Sequence, residues 1–272
     1  MRKKKKLYHA EIETRLLDDT SPFAIREAFN HLRTSLMYTL NDKIGCPIFA
    51  VTSSGEASGK STLMANIAIS YAAASKRVLL IDADMRAPMQ NHIFQVEKDV
   101  YGLSELLSGI ERDDKAIIRS TEAAGLSLLL AGQTPPNPSE LIMSSTFEQY
   151  LKKWRLEYDA IFIDFPPVGI VTDTLAVHKL VTGYIFVVRS DQSDKRSVVA
   201  ALDTMKKVDA KILGIVLNDV DSKLLGYSGR YSTSKRYSRY AKYETMNKYE
   251  TSYANAYEKS YAKKQKESKH DA

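Results

Sequence analysis

The feature that most constrains the fold is a series of short apolar runs that alternate with helical patterns between residues 47 and 225. The runs are apolar at nearly every position, as is typical of strands that are buried on both faces of a sheet. They occupy residues 47–53, 77–83, 126–132, 159–165, 184–190 and 211–218. Because strands that alternate with helices are joined by right-handed crossovers, we predict an α/β protein with a doubly wound, mostly parallel sheet.

Helices are predicted between the strands at residues 61–76, 144–158 and 197–208. A further amphipathic helix is predicted before the first strand, over residues 21–40, with Ser21 as its cap and Pro22 in its first turn. Its apolar side chains have no partner in the strand pattern: Phe23, Ala24, Phe29, Leu32, Leu36 and Met37. We expect them to pack on the domain itself, and packing on another subunit is the alternative.

The segment from Tyr227 to Ala272 contains nine of the sixteen tyrosines and no Val, Ile, Leu, Phe or Trp. A segment with so few apolar side chains cannot offset the entropy of ordering it, so a disordered tail is predicted over residues 227–272. Its phenols should therefore be accessible: Tyr227, Tyr231, Tyr237, Tyr240, Tyr243, Tyr249, Tyr253, Tyr257 and Tyr261. The four-residue spacing of the last four permits a transient helix.

The formal charge of +6 is concentrated at the two ends of the chain. The predicted tail has six more Lys and Arg than Asp and Glu, and residues 2–6, within a predicted arm of residues 1–20, are all basic. A basic end is compatible with simple solvation, with nucleic acid, or with anionic lipid, which attracts each Lys or Arg by about 1 kcal/mol. We find no signal peptide, no apolar run long enough to cross a bilayer and only one cysteine, Cys46, so a cytoplasmic protein is expected.

A phosphate-binding loop is predicted between the first strand and an alanine-rich helix. Residues 54–62 read SGEASGKST and match the pattern G-x-x-x-x-G-K-[ST], with Ser54 in the place of the first glycine. In such a loop backbone N–H groups point at phosphate oxygens, Lys60 reaches the β- and γ-phosphates, and the Ser61 hydroxyl binds Mg²⁺. The predicted nucleotide-binding residues are Ser54, Gly55, Glu56, Ala57, Ser58, Gly59, Lys60, Ser61 and Thr62.

Carboxylates follow two more of the predicted strands. Asp82 and Asp84 end the run VLLIDADMR, and Asp164 ends the run AIFIDFPP. Ligands bind at the carboxyl ends of parallel strands, so these side chains are predicted to join the phosphate loop in one site. Asp164 would hold Mg²⁺ through water, and Asp82 or Asp84 would complete the magnesium shell and accept a proton from an incoming hydroxyl. A single Asp at such a position is often only a helix cap.

These motifs together resemble the bacterial tyrosine kinases of capsule and exopolysaccharide operons, P-loop proteins that share their core with septum-site and plasmid-partition ATPases. The ATPases have a lysine at the position of Gly55, and its absence here favours the kinases. The stretches LLAGQTPPNPSELI and FPPVGIVTD are also similar to that family. The resemblance implies a catalytic set acting on ATP and Mg²⁺ that comprises Lys60, Asp82, Asp84 and Asp164, with Ser61 among the metal ligands. Asn218 would lie near the adenine or satisfy a carbonyl group.

The helix at residues 21–40 resembles the oligomerisation motif E-x-x-R-x-x-R of that family, with Glu27 and Arg33 in place and Asn30 instead of the middle arginine. Arg86 is assigned to oligomerisation with them. Ala57 is a second departure, because alanine lacks the freedom of glycine at positive φ. The implied partners are other copies of the chain in a ring, a separate transmembrane activator with a cytoplasmic C-terminus, and a tyrosine phosphatase, at the inner face of the membrane and without nucleic acid.

The implied function is that of an ATP-dependent autokinase, with a kinase domain over residues 21–226 that phosphorylates the tyrosines of the tail in trans and regulates polysaccharide synthesis and export. Asp82 is the carboxylate predicted to orient or deprotonate the attacking phenol. One alternative is a partition-type ATPase whose basic tail binds nucleic acid or membrane. Another is a scaffold that binds nucleotide and is phosphorylated by a different kinase.

Overall fold

The computed structural model describes residues 16–40, 45–97 and 100–220. Most of the predicted basic arm and the entire tail, with its nine candidate phosphorylation sites, lie outside the described residues. Within the described part the strands are β1 (Ile48–Ser53), β2 (Val78–Asp82), β3 (Arg119–Ser120), β4 (Leu126–Leu129), β5 (Ala160–Asp164), β6 (Gly183–Arg189) and β7 (Ile212–Asn218). The helices are α1 (Phe23–Thr39), α2 (Lys60–Ala72), α3 (Gln90–Ile93), α4 (Leu103–Ser108), α5 (Asp114–Ile117), α6 (Pro138–Ile142), α7 (Ser145–Glu157), α8 (Asp173–Ala176) and α9 (Lys195–Lys207).

The strands form one sheet in the order β3–β4–β2–β5–β1–β6–β7. Neighbouring strands are parallel except for β3 and β4, which are antiparallel. Side chains of β1 alternate between two hydrophobic clusters, with Ile48 and Ala50 in one and Phe49 and Val51 in the other. The sheet is therefore covered on both faces, which confirms the predicted doubly wound α/β fold.

The helix that follows β1 is fixed to the sheet by an aromatic cluster. The ring of Tyr71, on α2, lies 5.7 Å from that of Phe49 and 5.0 Å from that of Phe162, measured between centroids. The rings of Phe49 and Phe162 stack at 5.0 Å across the β1–β5 pair. Because buried aromatic pairs contribute beyond the area that they bury, this cluster holds the helix in a fixed position on the sheet. The start of that helix carries the phosphate loop.

Three details of the fold differ from expectation. Ser21 does not cap α1, because its hydroxyl instead donates to the Asp18 carboxylate, and the helix begins at Phe23 after Pro22. The short antiparallel strand β3 was not predicted, since two residues carry no periodic signal. The last strand, β7, is not buried on both faces: Ile215 and Leu217 are more than half exposed, because β7 lies at the edge of the sheet.

The apolar face of α1 packs mainly on its own domain. Phe29, Leu32 and Leu36 contact the hydrophobic cluster that contains α2, whereas Phe23 and Met37 are about half exposed. The expected packing is therefore confirmed for the middle of the helix only.

Candidate active site

The phosphate loop connects β1 to α2 and contains two residues at positive φ. Gly59 has φ +82° and directly precedes Lys60, the first residue of α2, while Ala57 has φ +54°. Lys60 and Ser61 are both buried. The first amides of a helix have no partner within the helix and point along its axis, so this turn presents donors and a positive dipole to an anion.

Two side chains at the ends of β6 and β7 donate hydrogen bonds to carbonyl groups of the loop. The side-chain Nδ2 of Asn218 donates to the Ser58 carbonyl at 3.0 Å, and Nη1 of Arg189 donates to the Ala57 carbonyl at 2.8 Å. Of the two roles predicted for Asn218, the structure contains the carbonyl contact, and proximity to the adenine stays a prediction. Arg189 was missed, although its place at the end of an apolar strand beside the loop was a usable signal.

Lys60 lies between two carboxylates at the head of the loop. Its Nζ is 3.3 Å from Oδ2 of Asp84 and 3.8 Å from Oδ1 of Asp164. Burial alone would lower the pKa of Lys60, but the charges of Asp164, Asp84 and Asp82 outweigh it and raise that pKa. The ammonium group therefore stays charged, as a group that binds phosphate must.

Asp82 is fully buried and organises the chain that follows β2. One of its oxygens accepts a hydrogen bond from the backbone N–H of Asp84, and the other accepts from those of Met89 and Gln90, at 3.1 and 2.9 Å. Burial raises the pKa of Asp82, and the charge of Asp164 adds to the effect. Because both oxygens contact backbone amides, the predicted catalytic and metal-binding roles of Asp82 stay predictions.

The two carboxylate oxygens of Asp164 have different surroundings. Oδ2 accepts a hydrogen bond from Nε2 of Gln90 at 2.9 Å, whereas Oδ1 is buried and has no hydrogen-bond partner among the described residues. Burial raises the pKa of Asp164, although the charge of Lys60 and the hydrogen bond from Gln90 act in the opposite direction. A buried oxygen without a donor is rare in a native protein unless a ligand or water completes it.

The residues around Asp164 fit a Mg²⁺ ion that takes most of its ligands from water and phosphate oxygens and few from side chains. Across residues 16–40, 45–97 and 100–220, no group of three or more His, Cys, Asp and Glu side chains is arranged to hold a metal ion. Mg²⁺, however, usually keeps several waters and takes only one or two carboxylates, with phosphate oxygens as its other ligands. Ser61, Asp84 and Asp164, the last through Oδ1, are the residues that would hold it directly or through water.

A cavity of about 380 Å³ opens over the phosphate loop, within the usual size of small-molecule sites. Its lining includes residues 56–62, Asp84, Arg86 and residues of the loop after β5. Ser54 and Gly55 are not among the lining residues. The predicted nucleotide site thus comes together over residues 56–62, and of the carboxylates after β2 only Asp84 faces it.

Arg86 links two stretches that the sequence had singled out without a role. Its Nε and Nη2 donate to Oδ2 of Asp173 at 3.2 and 3.1 Å, and Nη2 also donates to the Ser139 hydroxyl at 3.0 Å. The Ser139 hydroxyl in turn donates to Oδ1 of Asp173 at 2.6 Å. The stretches LLAGQTPPNPSELI and FPPVGIVTD are therefore connected by hydrogen bonds beside the cavity.

The other residues assigned to oligomerisation have contacts within the chain. Arg33 donates from Nη1 to both the carbonyl and the hydroxyl of Ser70 on α2, and Glu27 accepts from Asn30 at 2.9 Å. Their role between subunits, with that of Arg86, stays a prediction. None of the helices in the described part of the chain is long and apolar enough to cross a membrane.

Known proteins resemble this chain in sequence and in fold. The family model of the CobQ/CobB/MinD/ParA nucleotide binding domain matches residues 49–235. The chain is 38% identical to the putative tyrosine-protein kinase CapB of Staphylococcus aureus over 74% of its length and 86% of that protein. It is 33% identical to the tyrosine-protein kinase CpsD of Streptococcus agalactiae serotype III (strain NEM316) over 74% of its length and 85% of that protein.

Solved structures also resemble this chain. The chimerical protein CapA2B2 superposes with a TM-score of 0.70 at 31% identity, over 80% of this chain and 99% of that one. The septum-site-determining protein MinD of Pyrococcus horikoshii superposes with a TM-score of 0.54 at 21% identity, over 70% of this chain and 73% of that one. The similarity to MinD shows the fold alone.

Proposed function

Because the chain belongs to the bacterial tyrosine-protein kinases, within the CobQ/CobB/MinD/ParA nucleotide-binding domain family, we propose that it transfers the γ-phosphate of ATP to tyrosines of its own tail. The observation that carries this proposal is the buried cluster of Lys60, Asp84 and Asp164 at the head of the phosphate loop. Capsule or exopolysaccharide synthesis is the process that the kinase would regulate.

Different groups of the site contribute to different parts of phosphoryl transfer. The amides at the start of α2 bind the phosphate oxygens, and Lys60 offsets the charge on the β- and γ-phosphates as the bond between them breaks. Bound Mg²⁺ would neutralise further charge on the same oxygens. Asp84 lines the cavity, so we assign to it, in preference to Asp82, the task of orienting the phenol and accepting its proton. Asp82 would hold the chain from Asp84 to Gln90 in place.

The acceptor tyrosines are those of the segment from Tyr227 to Ala272 on a neighbouring copy. Each phosphate adds a charge of about −1.5 to −2, so about five modified tyrosines would invert the sign of a segment with an excess of six basic residues. We propose that this inversion separates the subunits of a ring. Equal masses of the phosphorylated and unmodified protein by light scattering, with the membrane activator present, would contradict it.

The decisive experiment is incubation with γ-labelled ATP. We expect stable label on tyrosine in the wild type and none in Lys60→Met, whereas Lys76→Met, which changes an exposed lysine, should be labelled normally. Label released only as phosphate would support the partition-type ATPase, and label that persists in purified Lys60→Met would support a scaffold modified by another kinase. Transfer between subunits is tested by mixing Lys60→Met with an active variant whose nine tail tyrosines are phenylalanine: label on the Lys60→Met chain is expected.

The proposed partners follow from the same family. A separate transmembrane activator would dock on the kinase at the inner face of the membrane, and a tyrosine phosphatase would reverse the modification. Phosphopeptide mapping after expression with and without the neighbouring membrane protein tests the activator, since the proposal requires more tail phosphorylation when it is present.

A further inference from the structure

Gln90 is a fully buried residue that contacts both carboxylate-bearing strands at the site. It is the first residue of α3 and none of its surface is exposed. Its backbone N–H donates to Oδ2 of Asp82 at 2.9 Å, and its side-chain Nε2 donates to Oδ2 of Asp164 at 2.9 Å and to the Ser61 carbonyl at 3.1 Å. One residue thus ties the ends of β2 and β5 to the first turn of α2.

The orientation of this amide follows from its partners. A carboxylate and a carbonyl can only accept hydrogen bonds, so the atom that faces them must be the NH₂ group. The other side-chain atom, Oε1 of Gln90, is buried and has no hydrogen-bond partner within the described ranges. Oδ1 of Asp164 is in the same condition. These two buried acceptors therefore belong to side chains that are hydrogen-bonded to each other through Nε2 of Gln90 and Oδ2 of Asp164.

We propose that Gln90 is a positioning residue for the metal–nucleotide complex. By occupying Oδ2 of Asp164, it leaves Oδ1 as the oxygen that faces the cluster around Lys60. The inference rests on the proposed function to the extent that Asp164 serves bound Mg²⁺.

A side chain that only filled this space would not determine which oxygen of Asp164 is occupied, whereas the Gln90 amide does so by its hydrogen bond to Oδ2. Partners of this kind, which contact a metal ligand or its waters without contacting the ion, typically change metal affinity 10–100-fold when they are removed.

The test measures Mg²⁺ dependence of nucleotide binding with a fluorescent ADP analogue and the full chain. Gln90→Met keeps an unbranched side chain of similar length and removes the amide. We expect its affinity for the analogue in EDTA to stay within about twofold of wild type, and its Mg²⁺ midpoint to rise about 10–100-fold. Gln192→Met, which changes an exposed glutamine, should match the wild type in both measurements.

Each outcome decides the inference. A folded Gln90→Met protein with the wild-type Mg²⁺ midpoint overturns it. If that protein does not fold, Gln90→Asn, whose amide is one methylene too short to keep both contacts, enters the same titration, and an unchanged midpoint again overturns it. If Gln90→Asn also fails to fold or to bind the analogue in EDTA, Gln90 is a core residue and the inference is wrong.

The titration does not depend on tyrosine phosphorylation. If the wild type binds ADP but does not label its tail, the proposed function is wrong and the titration still tests the role of Gln90. A wild type that labels its tail, with a Gln90→Met midpoint unchanged, would remove only the role of Gln90.

Discussion

Replacing Gly59 with alanine should damage the phosphate loop, and a second substitution at Asn218 should partly repair it. Gly59 has φ +82°, where a β-carbon is unfavourable, and a β-carbon there would overlap Nδ2 of the Asn218 side chain. That same nitrogen donates to the Ser58 carbonyl at 3.0 Å. The two residues are therefore coupled through one small volume beside the loop.

The expected free energies follow from these contacts. A non-glycine residue in the left-handed region costs about 1–2 kcal/mol, and steric overlap in a packed site about 1–3 kcal/mol, so Gly59→Ala should lower stability by about 2–5 kcal/mol. Asn218→Ala loses one hydrogen bond, about 0.5–1.5 kcal/mol. In the double variant the overlap disappears while the strain and the lost bond remain. Its cost should therefore be smaller than the sum of the single effects by about 1–3 kcal/mol.

Urea unfolding of the four proteins in the cycle measures this coupling, and binding of fluorescent ADP should follow the same order. Gly55→Ala is the matched control, because an added β-carbon at Gly55 meets nothing within 4 Å and its φ is not positive. Its stability should stay within about 0.5 kcal/mol of wild type. Strict additivity of the Gly59 and Asn218 effects would refute the overlap and, with it, the account of how β7 holds the loop.

Three further substitutions or modifications test other contacts. Ala57→Gly should leave the free energy of unfolding in urea unchanged or raise it by up to about 1.5 kcal/mol, because relief of positive-φ strain equals or exceeds the entropy that glycine adds to the unfolded chain. A lower free energy of unfolding would contradict this prediction. For Asp114, burial alone would raise the pKa, but hydrogen bonds from Lys153 and Trp154 lower it. The stabilisation from Asp114 is therefore present above the unfolded pKa of about 4 and is lost as pH falls through the lower folded value. Asp114→Asn should lower the free energy of unfolding in urea by about 1–3 kcal/mol at pH 7 and should make stability fall less steeply at acid pH. An unchanged fall of stability at acid pH would count against this prediction. Burial raises the pKa of the Cys46 thiol to about 11, so Ellman's reagent at pH 8 should react about 100-fold more slowly with the folded than with the urea-unfolded chain, and equal rates would refute its burial.

Local patterns were sufficient for the sheet and for the loop. Buried parallel strands are apolar at nearly every position, and β1, β2 and β5 follow that rule except at their carboxyl ends, so their place in the core was predictable. The spacing of Gly59, Lys60 and Ser61 fixes the phosphate loop because the chemistry of phosphate binding needs those residue types together.

Contacts between distant segments were not predictable. Gln90 stands in a stretch without a recognised motif, and its bond to Asp164 joins residues 74 positions apart. Asp82 was predicted to orient or deprotonate the phenol, yet the turn that follows β2 directs Asp84 to the cavity and places Asp82 against backbone amides. Sequence spacing places both side chains at the same edge of the sheet but does not determine which of them faces the ligand.

The alanine at position 57 shows how this site accommodates a departure from glycine. A left-handed alanine costs about 1–2 kcal/mol and persists only where its surroundings enforce the conformation. Here the enforcing contacts are two hydrogen bonds on consecutive carbonyls, from Arg189 to Ala57 and from Asn218 to Ser58. At about 0.5–1.5 kcal/mol each, they are of the size needed to offset the strain. Because both donors come from the ends of β6 and β7, the edge of the sheet that is remote from the carboxylates determines the shape of the phosphate loop.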